Sequence, residues 1–156
     1  FMGNEFCHPE WIDFPREGNG WSCYHARRQW NLADDNMLKY SGLNCFDRDM
    51  IHCVEANRML ESLPEVICQN EGDKVLAFKR GNCLLVFNFH PENAYSDYAI
   101  ECPAGEYRIL LSSDDPLYHG FGNIDTKISY FTNDFEGKSR LQLYLPPRTA
   151  VVLSGR

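Results

Sequence analysis

The sequence lacks the features that would place it in several broad classes of protein. Its formal net charge is −7, so it has no basic excess with which to bind phosphate backbones or anionic lipids. No apolar run approaches the ~18 residues that a membrane helix needs, and no secretory signal opens the chain. Internal repeats and low-complexity tracts are also missing. We therefore expect neither nucleic acid nor a membrane as a partner.

No C-x₂-C pair occurs, although the sequence contains seven cysteines. The odd count and the lack of small-scaffold spacing argue against a disulfide framework. Cys7-His8 and Cys23-x-His25 could in principle supply zinc ligands, but both lie in aromatic, turn-rich sequence. Other cysteines sit in apolar runs, as Cys83 does before Leu84. We therefore expect free thiols that act as small core residues in a reducing, cytoplasmic compartment, with no metal and no cofactor.

The sequence does contain enough apolar residues for a packed core. Of its 156 residues, 44% are hydrophobic and 13% aromatic. This length predicts one domain, or one domain plus part of another. The chain begins at Phe1-Met2, in the middle of an apolar stretch. Such a start is more typical of a piece of a protein than of a complete gene product. The acidity neither supports nor opposes a neutral sugar as ligand.

The first part of the chain divides into two stretches of different pattern. Residues 1–33 are rich in Gly, Pro, Trp and charge without a sustained period, which predicts a long loop that builds a site. Residues 34–60 approximate the 3.6-residue period of a helix. Asp34 and Asp35 are N-cap candidates, and Gly42 is expected to divide the stretch into two helices.

Residues 65–156 have the pattern of an all-β domain. Roughly seven or eight short strands with turn signals between them predict an antiparallel sandwich. The strands are expected at 65–69, 74–80, 83–89, 96–101, 106–111, 124–129, 141–145 and 149–153. Gly81-Asn82 predicts a two-residue hairpin turn. The continuous apolar run at 83–89 predicts a strand buried on both faces, and 112–138 is otherwise expected to be loop.

Side chains suited to sugar recognition are concentrated in the first 16 residues. They combine carboxylates, an amide, an imidazole, a guanidinium and an indole: Asn4, Glu5, His8, Glu10, Trp11, Asp13 and Arg16. Carboxylates accept hydrogen bonds from sugar hydroxyls, and an aromatic face can stack on the C–H face of the ring. By residue type alone, a polar loop that covers a barrel end or a helix terminus is an equal alternative.

The order of these residues is more specific than their types. The chain begins FMGNEFCHPEWIDFPR, which closely resembles the FMGNEFGHPEWxDFPR segment of 1,4-α-glucan branching enzymes. The likeness continues through Ser22-x-Tyr24-His25-Ala26-Arg27-Arg28-Gln29, Asn44-x-Phe46-Asp47-Arg48-Asp49-Met50, Ala77-Phe78, Phe87-Asn88-Phe89-His90-Pro91 and Tyr95-x-Asp97-Tyr98. It covers nearly the whole chain, is weakest at 112–138, and is closest in character to the eukaryotic-type subgroup.

The resemblance implies a fold from the α-amylase superfamily, in which a catalytic (β/α)₈ barrel is followed by an all-β domain. Residues 1–61 would be the C-terminal end of that barrel: its last strand at 1–5, the following loop at 6–33 and the closing helices at 34–60. Residues 62–156 would be the C-terminal domain. The expected fold is therefore mainly β, an antiparallel β-sandwich preceded by the last strand, loop and helices of a barrel.

The resemblance also implies a retaining transferase reaction in the parent enzyme. A carboxylate nucleophile forms a glycosyl-enzyme with help from a protonated acid, and the glucan chain then passes to a C6 hydroxyl, which makes an α-1,6 branch in glycogen or starch. The three carboxylates of this chemistry lie on earlier barrel strands. We therefore expect no catalytic residue in this chain, and no activity of the chain alone.

The implied partners are the rest of the catalytic barrel and, in the intact parent, an α-1,4-glucan. The residues expected to contact glucan are Glu5, His8, Glu10, Trp11 and Trp21. The chain departs from the family pattern at Cys7, where Gly is usual, and at Cys23, where an aromatic or small residue is usual. If that Gly serves a positive φ, the loop here would be slightly remodelled.

Two other functions are compatible with the sequence. The chain could be a non-catalytic glucan-binding β-sandwich module that acts through Trp11, Trp21 and Trp30. Residues 65–156 could instead be a purely structural domain that shields the barrel wall. The absence of Trp from that stretch favours the structural role for it.

Overall fold

The computed structural model describes residues 3–9 and 11–155, which form two compact units. The first unit comprises Phe1–Arg48 with Leu117–His119, and the second comprises Asp49–Pro116 with Gly120–Arg156.

The beginning of the first unit is built from short turns. Asn4–Phe6 and Glu17–Asn19 are 3-10 turns. Phe6 is fully buried, and its ring centroid lies 5.2 Å from that of Trp30. The predicted strand at 1–5 is wrong at Asn4 and Glu5, because Gly3 has a φ of 94° and bends the chain into the first turn. Residues 1 and 2 lie outside the described part of the chain.

Two helices follow, and they begin at other positions than predicted. Helix α1 spans Asn31–Asp34 and helix α2 spans Tyr40–Ala56, followed by a 3-10 turn at Met59–Glu61. Asp34 and Asp35 are therefore at the end of α1 and do not cap its start. Their short acidic side chains suit turns as well as N-caps, and Asp35 Oδ1 accepts the Met37 N–H at 2.8 Å.

Gly42 does not divide the helix, because α2 continues through it. Its backbone is buried, and a Cβ atom at this position would lie 2.0 Å from Cδ2 of the His119 ring. A close approach between side chain and helix therefore explains this glycine, since a single glycine costs a helix only about 1 kcal/mol.

The second unit contains the last residues of α2, the turn at Met59–Glu61 and, among the described residues, nine antiparallel strands. They are β1 (Glu65–Asn70), β2 (Val75–Arg80), β3 (Cys83–Asn88), β4 (Tyr95–Glu101), β5 (Glu106–Ser112), β6 (Ser129–Phe131), β7 (Asn133–Phe135), β8 (Lys138–Leu145) and β9 (Thr149–Gly155). One sheet has the order β1-β2-β3-β9-β5-β6, and the other has the order β4-β8-β7. The predicted mainly β, antiparallel architecture is confirmed.

Alternation of side chains along the strands explains where the core of the second unit lies. Leu141, Leu143 and Leu145 of β8 are buried and pack with Ile100 of β4 and with strands of the larger sheet. The predicted hairpin turn at Gly81-Asn82 is confirmed, since Arg80 pairs with Cys83 and Gly81 has a φ of 57°.

Two strand predictions need correction. β6 begins at Ser129, later than the strand expected at 124–129, and β7 lies in a stretch expected to be loop. The stretch predicted at 83–89 forms β3, but it is not buried on both faces, because Leu85 and Phe87 are half-buried and Phe89 is exposed. Only the face with Leu84 and Val86 is fully covered.

Candidate functional site

A cavity of about 760 Å³ lies in the first unit. This volume is in the range of ~300–1,000 Å³ that is usual for ligand pockets. Its lining combines aromatic rings with hydrogen-bonding groups: Trp11, Cys23, Tyr24, His25, Arg27 and Gln29. Trp11 is 72% exposed and Tyr24 is 82% exposed, so both rings are accessible to a ligand. Such a lining offers a ligand aromatic faces for stacking and side chains for hydrogen bonds.

Two hydrogen bonds hold the cavity wall at 23–29 against the preceding loop. The Gln29 N–H donates to His8 Nε2 at 3.1 Å. The Asp13 N–H donates to the carbonyl oxygen of His25 at 3.2 Å. The His8 ring also packs edge-on against Phe6, with centroids 5.7 Å apart. The two segments are therefore fastened at two points, and the lining residues are positioned by contacts outside the cavity.

The loop that carries Trp11 is shaped by the Asp13 carboxylate. Arg16 Nε donates to Asp13 Oδ1 at 2.9 Å, and Asn19 Nδ2 donates to Asp13 Oδ2 at 2.9 Å. The hydrogen bond from Arg16, and then that from Asn19, hold the pKa of Asp13 below its ordinary value. The carboxylate therefore stays ionised to lower pH than an ordinary aspartate does. Because an exposed ion pair adds little stability, its main effect is to fix the conformation of the loop.

The structure places the predicted glucan contacts in different environments. Trp11 lines the cavity. His8 lies behind the wall as the acceptor for Gln29, and the Glu5 carboxylate accepts the Gly3 N–H at 2.9 Å. Trp21 is 69% exposed but is not among the residues that line the cavity. Glu10 lies outside the described residues.

The cavity also brings together residues that the sequence did not single out as contacts. These are Tyr24, His25, Arg27 and Gln29, all from the Ser22-x-Tyr24-His25-Ala26-Arg27-Arg28-Gln29 motif. The signal that could have found them was this second dense motif. Because this motif is separated from Trp11 along the chain, the sequence alone did not indicate that the two line the same cavity.

Cys7, at which the chain departs from the family pattern given above, adopts the conformation that a glycine would favour. Its φ is 60° and its ψ is 47°, in the left-handed region. Its N–H donates to the Asn4 carbonyl at 3.1 Å and closes the first turn. The position therefore has the positive φ that a glycine favours. The loop adopts this conformation with a cysteine in place, at the cost of backbone strain.

Replacing Cys7 with Gly is expected to stabilise the chain by about 0.5–1 kcal/mol, because relief of left-handed strain exceeds the extra backbone entropy of glycine. The Cys7 side chain is exposed, so little packing is lost. Urea unfolding of the two proteins measures the difference. Cys23→Gly is the matched control, since Cys23 is also exposed but has no positive φ. We expect that control to lose stability; an equal change in both variants would contradict the account.

The cysteines differ in their environments more than the sequence predicts. Cys83 and Cys102 are buried as expected, and burial raises the pKa of both thiols. The prediction of a core role is wrong for Cys7 and Cys23, which are exposed because they lie in turns of the loop. Within the described ranges, no group of three or more His, Cys, Asp or Glu side chains is arranged to hold a metal ion.

Residues 66–156 match the family described as Alpha amylase, C-terminal all-beta domain. The chain belongs to this family. It is also 46% identical over 159 residues to the 1,4-alpha-glucan-branching enzyme of Saccharomyces cerevisiae, a match that covers 99% of the chain and 23% of that enzyme. The enzyme of the same name from Aspergillus oryzae is 47% identical over 160 residues, again with 99% and 23% coverage. The resemblance inferred from the motifs is confirmed.

A solved structure shares the fold of this alpha-amylase C-terminal family member. The crystal structure of CldA, a cyclomaltodextrin glucanotransferase with a three-domain ABC distribution, matches with a TM-score of 0.51 at 14% identity. The match covers 100% of this chain and 29% of that one. The chain thus spans less than a third of the length of each of these three proteins. In the described part of the chain, no helix has the length and apolarity to span a bilayer.

Proposed function

We propose that the chain is the C-terminal portion of a 1,4-α-glucan branching enzyme. This whole enzyme, which we call the parent enzyme, builds α-1,6 branches in glycogen or starch. The observation that carries the proposal is the 46% identity over 99% of the chain to a branching enzyme. In this proposal residues 1–61 are the end of the catalytic barrel and 62–156 are the C-terminal domain. The start of the family match at residue 66 supports this boundary.

The proposal divides the work between this chain and the rest of the parent enzyme. The rest of the parent enzyme carries the nucleophile, the acid and the stabilising carboxylate. The chain therefore supplies no catalytic residue. The first unit supplies a wall that holds the glucan. Its neutral ligand needs no charge partner, and the aromatic faces of Trp11 and Tyr24 suit the C–H faces of glucose units. Arg27 and Gln29 carry hydrogen-bond donors for hydroxyl groups.

His8 and Glu5 have supporting parts in this proposal. His8 positions Gln29 in the cavity wall, and Glu5 closes the turn that begins at Gly3. Trp21 remains a proposed contact outside the cavity, where a longer glucan chain would reach it. Binding a polymer at several points suits an enzyme that must hold a chain while its end is transferred.

Trp11→Ala in the parent enzyme tests the site. We expect roughly tenfold weaker retention by maltodextrin in affinity electrophoresis, because one stacking face is lost. The melting temperature should change little, since the side chain is 72% exposed. Phe14→Ala is the matched control, an aromatic residue on the same loop that is 57% exposed and does not line the cavity. Equal retention of both variants would overturn the site, as would a marked fall in melting temperature with unchanged branching rate.

A second candidate function is a glucan-binding module without a catalytic partner. It is favoured by the exposure of all three tryptophans, which is 72% for Trp11, 69% for Trp21 and 50% for Trp30. The two functions differ in one result. A module would bind maltodextrin while the whole protein that contains it fails to form α-1,6 linkages.

A further inference from the structure

The smaller sheet of the second unit, formed by β4, β8 and β7, has one buried face and one exposed face. Leu141, Leu143 and Leu145 of β8 are buried in the core between the two sheets. Because side chains alternate along a strand, their neighbours in sequence point away from the core. The register brings residues of β4 and β7 to the same side, which we call the small-sheet face. From β7 and β8 this face carries Asn133, Phe135, Lys138, Arg140, Gln142 and Tyr144.

An aromatic ring lies towards each end of β8 on the small-sheet face. Phe135 is 56% exposed and Tyr144 is 41% exposed. Phe135 pairs with Lys138 at the start of β8, whereas Tyr144 lies near the end of that strand. At about 3.3 Å per residue, the two positions are roughly 20 Å apart along the strand. A ligand that contacts both rings must therefore be a chain of several units, because a single sugar ring cannot span this distance.

Hydrogen-bonding side chains lie between the two rings. Arg140 and Gln142 are successive residues of the small-sheet face on β8. Asn133 Nδ2 donates to Gln142 Oε1 at 3.5 Å, a long and therefore weak hydrogen bond that a ligand hydroxyl can replace. The Arg140 guanidinium lies over the Phe135 ring, 4.9 Å from its centroid, which holds both side chains in place. The face thus offers donors and an acceptor between two stacking surfaces.

The charges of the small-sheet face are balanced. Lys138 Nζ forms an ion pair with Glu101 Oε2 of β4 at 2.9 Å. Arg140 pairs in register with the same Glu101, and Asp97 lies in the bulge of β4 across from Tyr144. Two cations are therefore accompanied by two carboxylates. No excess charge of either sign is present to attract an anionic or a cationic polymer, so the face suits a neutral one.

The composition of the small-sheet face differs from that of the centre of a protein interface. Such centres are depleted in lysine and glutamate and are rich in apolar side chains. Among the described residues of these three strands, Ala99 is the only aliphatic residue that the register brings to this face, opposite Gln142. Aromatic rings separated by amide and guanidinium groups instead match a carbohydrate chain, which alternates C–H faces with hydroxyl groups.

We propose that the small-sheet face is a second glucan-binding site, formed by the second unit alone, a proposal that takes its ligand from the proposed function. Phe135 and Tyr144 stack on glucose units at two points of one α-glucan chain. Between them, Arg140, Gln142 and Asn133 donate hydrogen bonds to its hydroxyl groups. A glycogen particle has many chains, so this site and the cavity can hold different chains of one particle and together strengthen its retention.

Tyr144→Ala in the parent enzyme tests this site by affinity electrophoresis in gels that contain glycogen. We expect roughly three- to tenfold weaker retention, because one stacking face is lost. The melting temperature should shift by no more than about 3 °C, since the side chain is partly exposed. Tyr144→Phe keeps the ring and should be retained within about twofold of the unsubstituted enzyme. Phe135→Ala, at the other end of the face, is an independent variant that should weaken retention in the same range.

Phe121→Ala is the matched control, because Phe121 is 90% exposed in the same unit and belongs to no strand of the smaller sheet. Its retention should be unchanged. Equal retention of Tyr144→Ala and Phe121→Ala would overturn the proposal, as would a Tyr144→Phe variant retained as weakly as Tyr144→Ala. A melting temperature lowered by more than about 5 °C in Tyr144→Ala would overturn it in favour of a bracing role. A parent dimer that Tyr144→Ala splits in sedimentation would overturn it in favour of a second copy.

The branching activity of the unsubstituted parent enzyme separates this proposal from the proposed function. If the parent forms no α-1,6 linkages but Tyr144→Ala weakens its retention by glycogen, the second glucan site stands and the enzyme assignment fails. If the parent branches amylose and Tyr144→Ala leaves retention unchanged, the enzyme assignment stands and the second glucan site fails.

Discussion

Asn88→Asp is expected to destabilise the second unit by about 3–5 kcal/mol at neutral pH, which is the cost of leaving a buried charge without a partner. Asn88 is 1% exposed. Its Nδ2 donates to the carbonyl oxygens of Asn93 at 2.9 Å, Leu145 at 3.1 Å and Pro146 at 2.9 Å. Aspartate has the same shape but turns a carboxylate oxygen towards three carbonyl oxygens. Its other oxygen can still accept the His90 N–H, as Asn88 Oδ1 does at 2.9 Å.

Urea unfolding measures this loss, with Asn93→Asp as the control. Asn93 is exposed and contributes its backbone carbonyl to the contact, so its substitution should cost less than about 0.5 kcal/mol. Burial raises the pKa of the introduced carboxyl in the folded state. The folded state therefore binds the extra proton more tightly, and the deficit should shrink as pH falls below the raised pKa. A deficit that matches the control, or that is independent of pH, would contradict the account.

Gly120→Ala is expected to cost the second unit about 3 kcal/mol, at the upper end of overpacking effects. An added Cβ would lie 2.2 Å from both the carbonyl carbon and the oxygen of Asp114. Those are backbone atoms and cannot move aside as a side chain could. The Asp114 side chain is also fixed, because its carboxylate accepts the Phe121 N–H at 3.2 Å and the Ile124 N–H at 3.1 Å.

Gly72→Ala is the control for this prediction, and the midpoint of urea unfolding is the measurement. A Cβ on Gly72 would find its nearest neighbour, Asn70 Oδ1, at 3.4 Å, and Gly72 has no positive φ. Its substitution should change the free energy of unfolding by less than about 0.5 kcal/mol. If Gly120→Ala and Gly72→Ala unfold at the same urea concentration, the tight turn around Asp114 does not contribute as described.

The strands were predictable because alternation and turn residues are local signals. Leu141, Leu143 and Leu145 specify the buried face of β8 without reference to any other part of the chain. The stretch from 112 to 138 was not predictable in the same way. Its conformation depends on Asp114, a buried carboxylate that binds backbone N–H groups seven and more residues later. The pattern of apolar residues in the sequence contains no information about such a contact.

The candidate site was also only partly predictable from the sequence. Trp11 could be proposed from its residue type and its motif, and it does line the cavity. Tyr24 and Arg27 belong to a second dense motif, but the sequence did not place that motif beside Trp11, because hydrogen bonds between segments far apart in sequence bring the two together. The positions of Asp34 and Asp35 were mistaken because an acidic pair suits the end of one helix and the turn after it as well as an N-cap.

The central claim is that these 156 residues are the C-terminal portion of a branching enzyme and carry none of its catalytic carboxylates. Its most direct test is the content of α-1,6 linkages, measured by proton NMR, in amylose that has been incubated either with the parent enzyme or with this chain alone. We expect new α-1,6 linkages with the parent enzyme and none above the untreated control with the chain alone. New α-1,6 linkages made by the chain alone, or none made by a folded parent enzyme, would contradict the account.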